Sequence, residues 1–376
     1  MLSKLNHRTF SLVVLLGLML LVLGACSQAA LPETQPEAAA PEAGVEEEAA
    51  APTEAATEEP MEAEGAEEPI RIGYVVHVTG IEFTAIVEEG ARDAAEDYNV
   101  ELTFTGPPNI DAPAQIAAFD SLLETDPDGI VFIAGDPSVW EEPVQRAINR
   151  GVLVLTADAD APNTARQAFF GVDARGLGET LGQQVRELMG DEGKIVLGEC
   201  VIGPEPHVLR EEGFRAAFEG ANVEFAGPYE TVCDATQNYS NWQNAYTANQ
   251  DAAALIGLTA VETPSLGKLK GETGGDFIVG SFDPGAEGLR QMLEGNVDVT
   301  VGQNPYLAGY LPVQAIARHV REGLTIKEGI NLYPGESILP ADAEALIERE
   351  GGGEPRTEWY RNFIAVNNLQ DFGLSE

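Results

Sequence analysis

FIVGSFDPGAEGLRQMLEGNVDVTVGQNPYLAGY, residues 277–310, contains two apolar runs separated by a helical pattern. The first run spans Phe277 to Phe282, the second spans Val297 to Val301, and the helical pattern between them stops at Gly295. Apolar runs rich in β-branched residues on either side of a helix are typical of a parallel sheet that is covered on both faces. Asp283 and Gln303 follow the two runs at the carboxyl ends of the predicted strands, where open α/β sheets bind their ligands. We therefore expect both side chains to meet a small polar molecule.

The composition restricts the classes of partner. The chain has 376 residues and a formal net charge of -41, which excludes a nucleic-acid partner because phosphates would be repelled. Its three cysteines and four histidines leave little material for a structural zinc site. We therefore expect neither a metal nor a cofactor.

The first 26 residues have the features of an export signal. Lys4 and Arg8 belong to a basic start, and the apolar run from Ser11 to Leu23 is too short to span a bilayer comfortably. Residues 23–26, LGAC, match the lipobox of bacterial lipoprotein signal peptides, which implies cleavage before Cys26 and diacylation of its sulfur. An ordinary signal peptide and a short membrane anchor are the alternatives. Lipid on Cys26 would hold the protein at a membrane surface without a spanning helix.

Residues 27–69 are predicted to form a disordered acidic tether. They consist mainly of Ala, Pro, Glu and Thr and contain no Lys or Arg before the folded region begins. Such a segment cannot bury enough apolar surface to offset its chain entropy, and its like charges extend it. The tether would let a folded domain stand away from the membrane.

The strand ends within residues 277–310 resemble those of the type I periplasmic sugar-binding proteins, the ribose- and galactose-binding kind. Ser281-Phe282-Asp283 stands where that family has Gly-Phe-Asp, whose Asp accepts hydrogen bonds from ligand hydroxyls. Val301-Gly302-Gln303 matches a strand of the family that ends in Gln beside an interlobe crossover. The resemblance covers roughly Ile70 to Ala343 and consists of several motifs in order. It implies an α/β fold with two similar doubly wound parallel-sheet lobes joined by a three-strand hinge.

The resemblance also implies the domain boundaries. The N-terminal lobe would span residues 70–173 and be completed by about 304–332. The C-terminal lobe would span residues 174–303 and be completed by about 333–350. Residues 351–376 lie outside the familiar pattern and are assigned to a C-terminal tail. The first strand is predicted at Ile70–Val78.

Candidate ligand-binding residues in the N-terminal lobe follow from the same resemblance. Phe83 stands where the family places an aromatic that stacks on the sugar ring, although a buried contact at the helix start is the alternative. Thr84 occupies the position of a second aromatic. His77 ends the first strand toward the same cleft, and a core or surface histidine is the alternative. Asp136 precedes a proline where the family has a ligand-contacting Asn or Asp, and it is equally suited to cap a helix. Asp158 matches the Asp of a family Asp-Arg pair, with Ala159 in place of the Arg.

In the C-terminal lobe, Arg210 stands three residues before the pair Gly213-Phe214, as in the family. Its guanidinium offers paired donors to vicinal hydroxyls or a carboxylate, and a surface ion pair is the alternative. Phe282 is expected to be an apolar wall, Asp283 an acceptor and Gln303 a donor. Thr259 and Glu262 are the two candidates for a further position, where the family supplies an Asn or Asp.

Three further patterns in the sequence are weaker signals. Cys200 and Cys233 follow two strands that should be neighbours, so they form either a disulfide, which export permits, or two buried thiols. Asp158 and Asp160 have the spacing of calcium ligands, but no glycine turn and distal glutamate follow. A partial glycine fingerprint at Gly176–Gly178 lacks the third glycine and the acidic partner of a nucleotide site.

The resemblance implies a monomeric solute-binding lipoprotein. It would bind a sugar or cyclitol between two lobes, close by hinge motion, and deliver the ligand to the permease of an ABC importer. A sensor, or a nucleoside or quorum-signal binder of the same fold, is the alternative. A secreted glycoside hydrolase finds little support, because no nucleophile elbow, metal pair or phosphate loop is present.

Overall fold

The computed structural model describes residues 68–376. The predicted signal peptide, the predicted lipidation site Cys26 and nearly all of the predicted tether at 27–69 lie outside the described residues. No helix within 68–376 is long and apolar enough to cross a membrane.

Helices and strands alternate through most of the described chain. Up to the first change of lobe they are β1 (Ile70–Val75), α1 (Glu82–Asp97), β2 (Val100–Thr105), α2 (Ala112–Leu123), β3 (Gly129–Phe132), α3 (Glu141–Asn149), β4 (Leu153–Ala157) and β5 (Ala168–Gly171). The second group is α4 (Ala174–Met189), β6 (Glu192–Glu199), α5 (Glu205–Ala216), β7 (Asn222–Glu230), α6 (Ala235–Ala248), β8 (Ala252–Gly257), α7 (Glu262–Thr273), β9 (Ile278–Phe282), α8 (Gly285–Leu293) and β10 (Val299–Gly302). The last group is α9 (Pro305–Glu322), β11 (Thr325–Ile326), β12 (Gly329–Leu332), β13 (Glu336–Ile338), α10 (Ala343–Glu350), α11 (Glu354–Val366) and β14 (Leu374–Ser375).

The strands form two six-stranded sheets, one in each lobe. The first has the order β2-β1-β3-β4-β5-β12 and is parallel throughout. The second has the order β7-β6-β8-β9-β10-β13, in which only β13 is antiparallel. The predicted class, two doubly wound α/β lobes, is therefore confirmed. β1 ends at Val75 rather than at the predicted Val78. Val76 still donates its N–H to the Thr105 carbonyl at 2.9 Å, but Thr105 is the last residue of β2, so the pairing stops there.

Each sheet carries an apolar core on both faces, as the buried runs predict. In the first lobe, Trp140 is fully buried and stacks on Phe132 with 4.1 Å between ring centroids. In the second lobe, Trp242 is equally buried and belongs to the core that includes Leu289 and Met292. The two tryptophans thus serve packing rather than the cleft.

The chain passes between the lobes four times. Three passages are those that the resemblance implies: from β5 to α4, from β10 to α9, and from β12 to β13. The fourth lies between α10 and α11, because α10 packs on the second lobe and α11 contributes to the core of the first. Residues 351–376, expected to be a tail, therefore include a helix and a strand, β14, that pairs with β11.

Candidate functional site

The carboxyl ends of the parallel strands face each other across an interlobe cleft. The cleft holds two adjoining cavities of about 350 Å³ and about 860 Å³, and Phe83 and the two cysteines line both of them. The smaller cavity is bordered by most of the predicted polar residues, namely His77, Asp136, Asp158, Arg210 and Gln303. The larger cavity is bordered by Asp283.

Arg210 is the central cation of the second-lobe wall. Its side chain is buried, and its guanidinium donates to the Leu258 carbonyl at 3.1 Å and to Oε1 of Gln303. The guanidinium carbon lies 4.4 Å from the centre of the Phe282 ring, a cation–π distance. The Nε–H of Arg210 is buried without a partner. The two bonds use two of the five N–H donors of the guanidinium, and Arg210 borders the smaller cavity.

Close packing of α4 against α5 places Arg210. A Cβ added at Gly178 on α4 would lie 2.1 Å from the Arg210 carbonyl oxygen, and one added at Gly213 would lie 2.0 Å from the Arg175 carbonyl oxygen. Only glycine allows the two helices to approach this closely at these two points.

Gln303 links Arg210 to Asp283. Asp283 accepts the backbone N–H of Gln303 at 2.8 Å on Oδ1 and the Gln303 side-chain amide on Oδ2. Since the amide oxygen of Gln303 accepts from Arg210, its orientation is set by a positive group on one side and a carboxylate on the other. Burial raises the pKa of Asp283 to about 6, against the opposing effect of the two hydrogen bonds from Gln303. The predicted donor Gln303 is thus largely engaged within the protein.

The first lobe contributes two carboxylates and an imidazole. Asp158 has a left-handed backbone (φ 58°) at the end of β4, and burial raises its pKa while Arg210 opposes the rise. Asp136 accepts the N–H and O–H of Ser138 at 2.9 and 2.7 Å, which lower its pKa. It thus caps the short 3-10 helix Pro137–Val139, whereas the N-cap of α3 is Trp140. His77 has a buried Nδ1 without a partner, and burial, followed by the charge of His207, lowers its pKa to about 4.

Two predicted residues do not line either cavity. Thr84 is buried in the first turn of α1 and donates its hydroxyl to the Ile81 carbonyl at 3.2 Å. Phe282 is fully buried beneath Arg210, where it supports the guanidinium instead of forming a wall of the cleft. Phe83 does line the cleft, with its ring 6.5 Å from the ring of His77.

Glu262, one of two alternative candidates, is fully buried and supports the other. Its carboxylate accepts the N–H of Thr259 at 3.1 Å, the Thr259 hydroxyl, the Thr231 hydroxyl at 2.7 Å and the Asn238 amide at 3.4 Å. Burial raises its pKa to about 7 despite these donors. Thr259 borders the smaller cavity, so Glu262 holds a cleft residue in place rather than facing the ligand.

Cleft residues that the sequence analysis did not select include His207 and Ile110. His207 lies one turn before Arg210 on α5, so helical i, i+3 spacing from a selected residue could have indicated it. The cysteines Cys200 and Cys233 are joined by a disulfide with a Cα–Cα distance of 4.7 Å, and this disulfide borders both cavities.

The calcium hypothesis has no support in the described chain. Asp160 pairs with the guanidinium of Arg166, with Nε 2.5 Å from Oδ1, and accepts the Thr156 hydroxyl at 2.6 Å. No group of three or more histidine, cysteine or acidic residues within 68–376 is arranged to hold a metal ion.

Two α/β lobes around a polar cleft define a protein that encloses a small solute, and the comparisons with known proteins agree. A family model described as "Periplasmic binding protein domain" matches residues 72–324. The chain belongs to this family, which makes it a binding protein and not an enzyme.

Individual relatives are distant but span most of the folded region. The xylose/arabinose-binding protein XylF of Sulfolobus acidocaldarius is 22% identical over 287 residues, covering 72% of this chain and 70% of the relative. The ribose import binding protein RbsB of Bacillus subtilis is 22% identical over 269 residues, covering 71% and 87%. The structure of an ABC transporter solute-binding protein from Burkholderia graminis in complex with D-arabinose superposes with a TM-score of 0.69 at 19% identity, covering 73% of this chain and 96% of the other.

Proposed function

We propose that this chain is an extracytoplasmic solute-binding lipoprotein that captures a sugar or cyclitol between its lobes and delivers it to an ABC importer. The observation that carries the proposal is the series of hydrogen bonds from Arg210 through Gln303 to Asp283 in the second lobe. Asp158 borders the same cleft from the first lobe. The relatives that bind xylose, arabinose and ribose support a sugar as the ligand class.

The cleft offers the groups that a polyol needs. Asp158 and Asp136 can accept hydroxyl protons, and the guanidinium of Arg210, with five N–H donors of which two are used in bonds to Leu258 and Gln303, can donate to a sugar oxygen. Phe83 can cover an apolar C–H face of the ring. Asp283, at the edge of the larger cavity, retains acceptor capacity beyond its two bonds to Gln303. Binding would fill positions on both lobes and so favour the closed arrangement.

Two departures narrow the ligand. Ala159 replaces the Arg expected beside Asp158, so one charged donor is missing from the first lobe. Thr84 is turned into the protein, so a second aromatic face is also missing from the cleft. With both changes, we expect the ligand to have fewer stacking contacts than ribose has in the family pattern. We also expect the second lobe to supply a larger share of the contacts.

The proposal also specifies the cellular location and the protein partner. Cys26 at the end of the apolar signal would carry the lipid, and residues 27–69 would tether the binding domain to the membrane. A monomer in its closed form would present both lobes together to a membrane permease.

A thermal-shift screen of pentoses, hexoses, inositols, nucleosides and amino acids tests the ligand class, since a ligand specific for the folded state raises the melting temperature. For the best ligand, calorimetry would compare wild type with Asp158→Asn, which keeps the shape but removes the charge. We expect a loss of about tenfold or more in affinity, the effect of one charge-assisted hydrogen bond.

Asp120→Asn is the matched control, because Asp120 is an exposed carboxylate of the same lobe that pairs with Arg146. It should leave the affinity unchanged. A shift with nucleosides or amino acids alone would overturn the sugar assignment, and equal affinities of wild type and Asp158→Asn would remove Asp158 from the site.

A further inference from the structure

The fourth passage between the lobes lies beyond residue 324, where the family match ends. It joins α10 to α11 through Gly351, Gly352 and Gly353, and the last two have left-handed backbones (φ 81° and 68°). A helix that packs on one lobe is therefore followed, after three glycines, by a helix that packs on the other.

α10 is anchored to the second lobe. Ala343 and Leu346 are buried in the core cluster that also holds Leu289 of α8. Arg349, at the end of α10, is almost fully buried, and its Nη1 lies 2.9 Å from each carboxylate oxygen of Glu336 of β13. Its Nε and Nη2 both lie 2.7 Å from Oε1 of Glu350, so the buried guanidinium is held by two carboxylates.

α11 is anchored to the first lobe. Arg356, buried at the start of the helix, lies 2.6 Å from Glu89 of α1, and Glu89 also accepts the Gly353 N–H at 2.7 Å. The ring of Tyr360 stacks on Tyr306 of α9 with 4.3 Å between centroids and an interplanar angle of 3°. Apolar burial and charge pairing therefore act on the same side of α11.

The two helices are also fixed to each other. The guanidinium of Arg349 lies 4.3 Å from the ring centre of Trp359 on α11, and the Nε–H of Arg356 donates to the Arg349 carbonyl at 3.1 Å. A Cβ added at Gly285, at the start of α8, would lie 3.0 Å from both carboxylate oxygens of Glu82 on α1, so the two lobes also approach each other here. The lobes are thus in contact near the point where α10 meets α11.

We propose that residues 343–366, the interlobe brace, couple the two lobes and restrict the opening of the cleft. Lobe separation by hinge motion would have to pull α11 from α1 or separate Arg349 from Trp359. The brace also borders the ligand space, because Glu350 and Tyr360 line the larger cavity. The three glycines allow a small change of angle between α10 and α11, so the brace limits the amplitude of opening without locking it.

The test measures the distance between the lobes without a ligand, so its outcome is independent of the sugar assignment. Spin labels are placed at Glu142→Cys in the first lobe and Glu205→Cys in the second, both exposed, in the full chain carrying Cys26→Ser. Pulsed electron–electron double resonance then gives the distribution of distances between the two labels. Arg356→Gln removes the contact to Glu89, and we expect a longer mean distance and a broader distribution than in the wild type.

Arg175→Gln is the control, because Arg175 forms an exposed pair with Glu212 within the second lobe, outside the brace. It should keep the wild-type distribution. A second variant inserts four glycines after Gly352. The insertion weakens the coupling through the chain and leaves the side chains in place, so the same longer and broader distribution is expected. This variant tests the proposal if Arg356→Gln does not fold. The proposal is overturned if the folded variants keep the wild-type distribution, or if Arg175→Gln broadens it equally.

Discussion

Replacing Glu262 by Gln should change how stability depends on pH. Burial raises the pKa of this carboxyl to about 7 in the folded protein, whereas an unfolded chain releases the proton near about pH 4.3. The folded state therefore binds more protons between these values. The stability from this group is fully present below the unfolded pKa and is lost as the pH rises through about 7.

The size of the effect follows from the two pKa values. Each unit of difference corresponds to about 1.4 kcal/mol, so the wild type should lose about 3 kcal/mol relative to Glu262→Gln between pH 5 and pH 8. Gln can keep its carbonyl toward the Thr259 N–H and its amide toward the Thr231 hydroxyl. The variant thus loses the titration while retaining most of the contacts, and any constant penalty does not depend on pH.

Urea unfolding at several pH values measures this difference. Comparing the two proteins at each pH cancels the contributions of other groups, including Asp283 and His77. Glu219→Gln, at an exposed position, is the control and should differ from the wild type by the same amount at every pH. A difference between the wild type and Glu262→Gln that stays constant from pH 5 to pH 8 would refute the reasoning.

Three other perturbations have definite expected outcomes. Arg210→Lys should weaken binding of the ligand by about tenfold or more in calorimetry, because an ammonium cannot replace the paired, stacked guanidinium; unchanged affinity would contradict this. Replacing both Cys200 and Cys233 by Ser should lower the free energy of unfolding by about 3–4 kcal/mol in urea, since the disulfide spans a sequence separation of 33; equal urea midpoints would count against it. Trp140→Ala should lower the free energy of unfolding by about 3–5 kcal/mol in urea, because the ring is fully buried. Ile110 is 45% exposed, so Ile110→Ala should change that free energy by about 0.5 kcal/mol or less. Similar losses in both variants would be inconsistent with this packing.

The rule that open α/β sheets bind ligands at the carboxyl ends of their strands selected residues that border the cleft. Asp283, Gln303, Asp158 and Asp136 all follow predicted strands, and all four border the cleft. The rule succeeds because parallel strands of one sheet end at the same edge, whatever their separation along the chain. It does not say which of these side chains remain available, and Gln303 is largely engaged by Arg210 and Asp283.

The misplaced residues share one cause. Thr84 and Phe282 stand at sequence positions beside the cleft, yet both point into the protein. A one-residue rotation along a helix or strand moves a side chain from one face to another, and neighbouring packing decides that rotation. The missed residue His207 reaches the cleft because α5 packs on α4 at two glycines, a contact between segments that sequence spacing does not reveal.

The sequence by itself determined the alternation of strands and helices, the lobe class and the edge on which ligand-facing residues lie, because hydrophobic period and chain direction are local properties. Only the tertiary structure decided the use of each polar group. The amide of Gln303 is oriented by a cation and a carboxylate that are far apart in the chain, and Glu262 is held inside by donors from three segments. The passage through Gly351–Gly353 likewise became visible only when α10 and α11 were found on different lobes. Such arrangements depend on desolvation and contacts between distant segments, which no local pattern encodes.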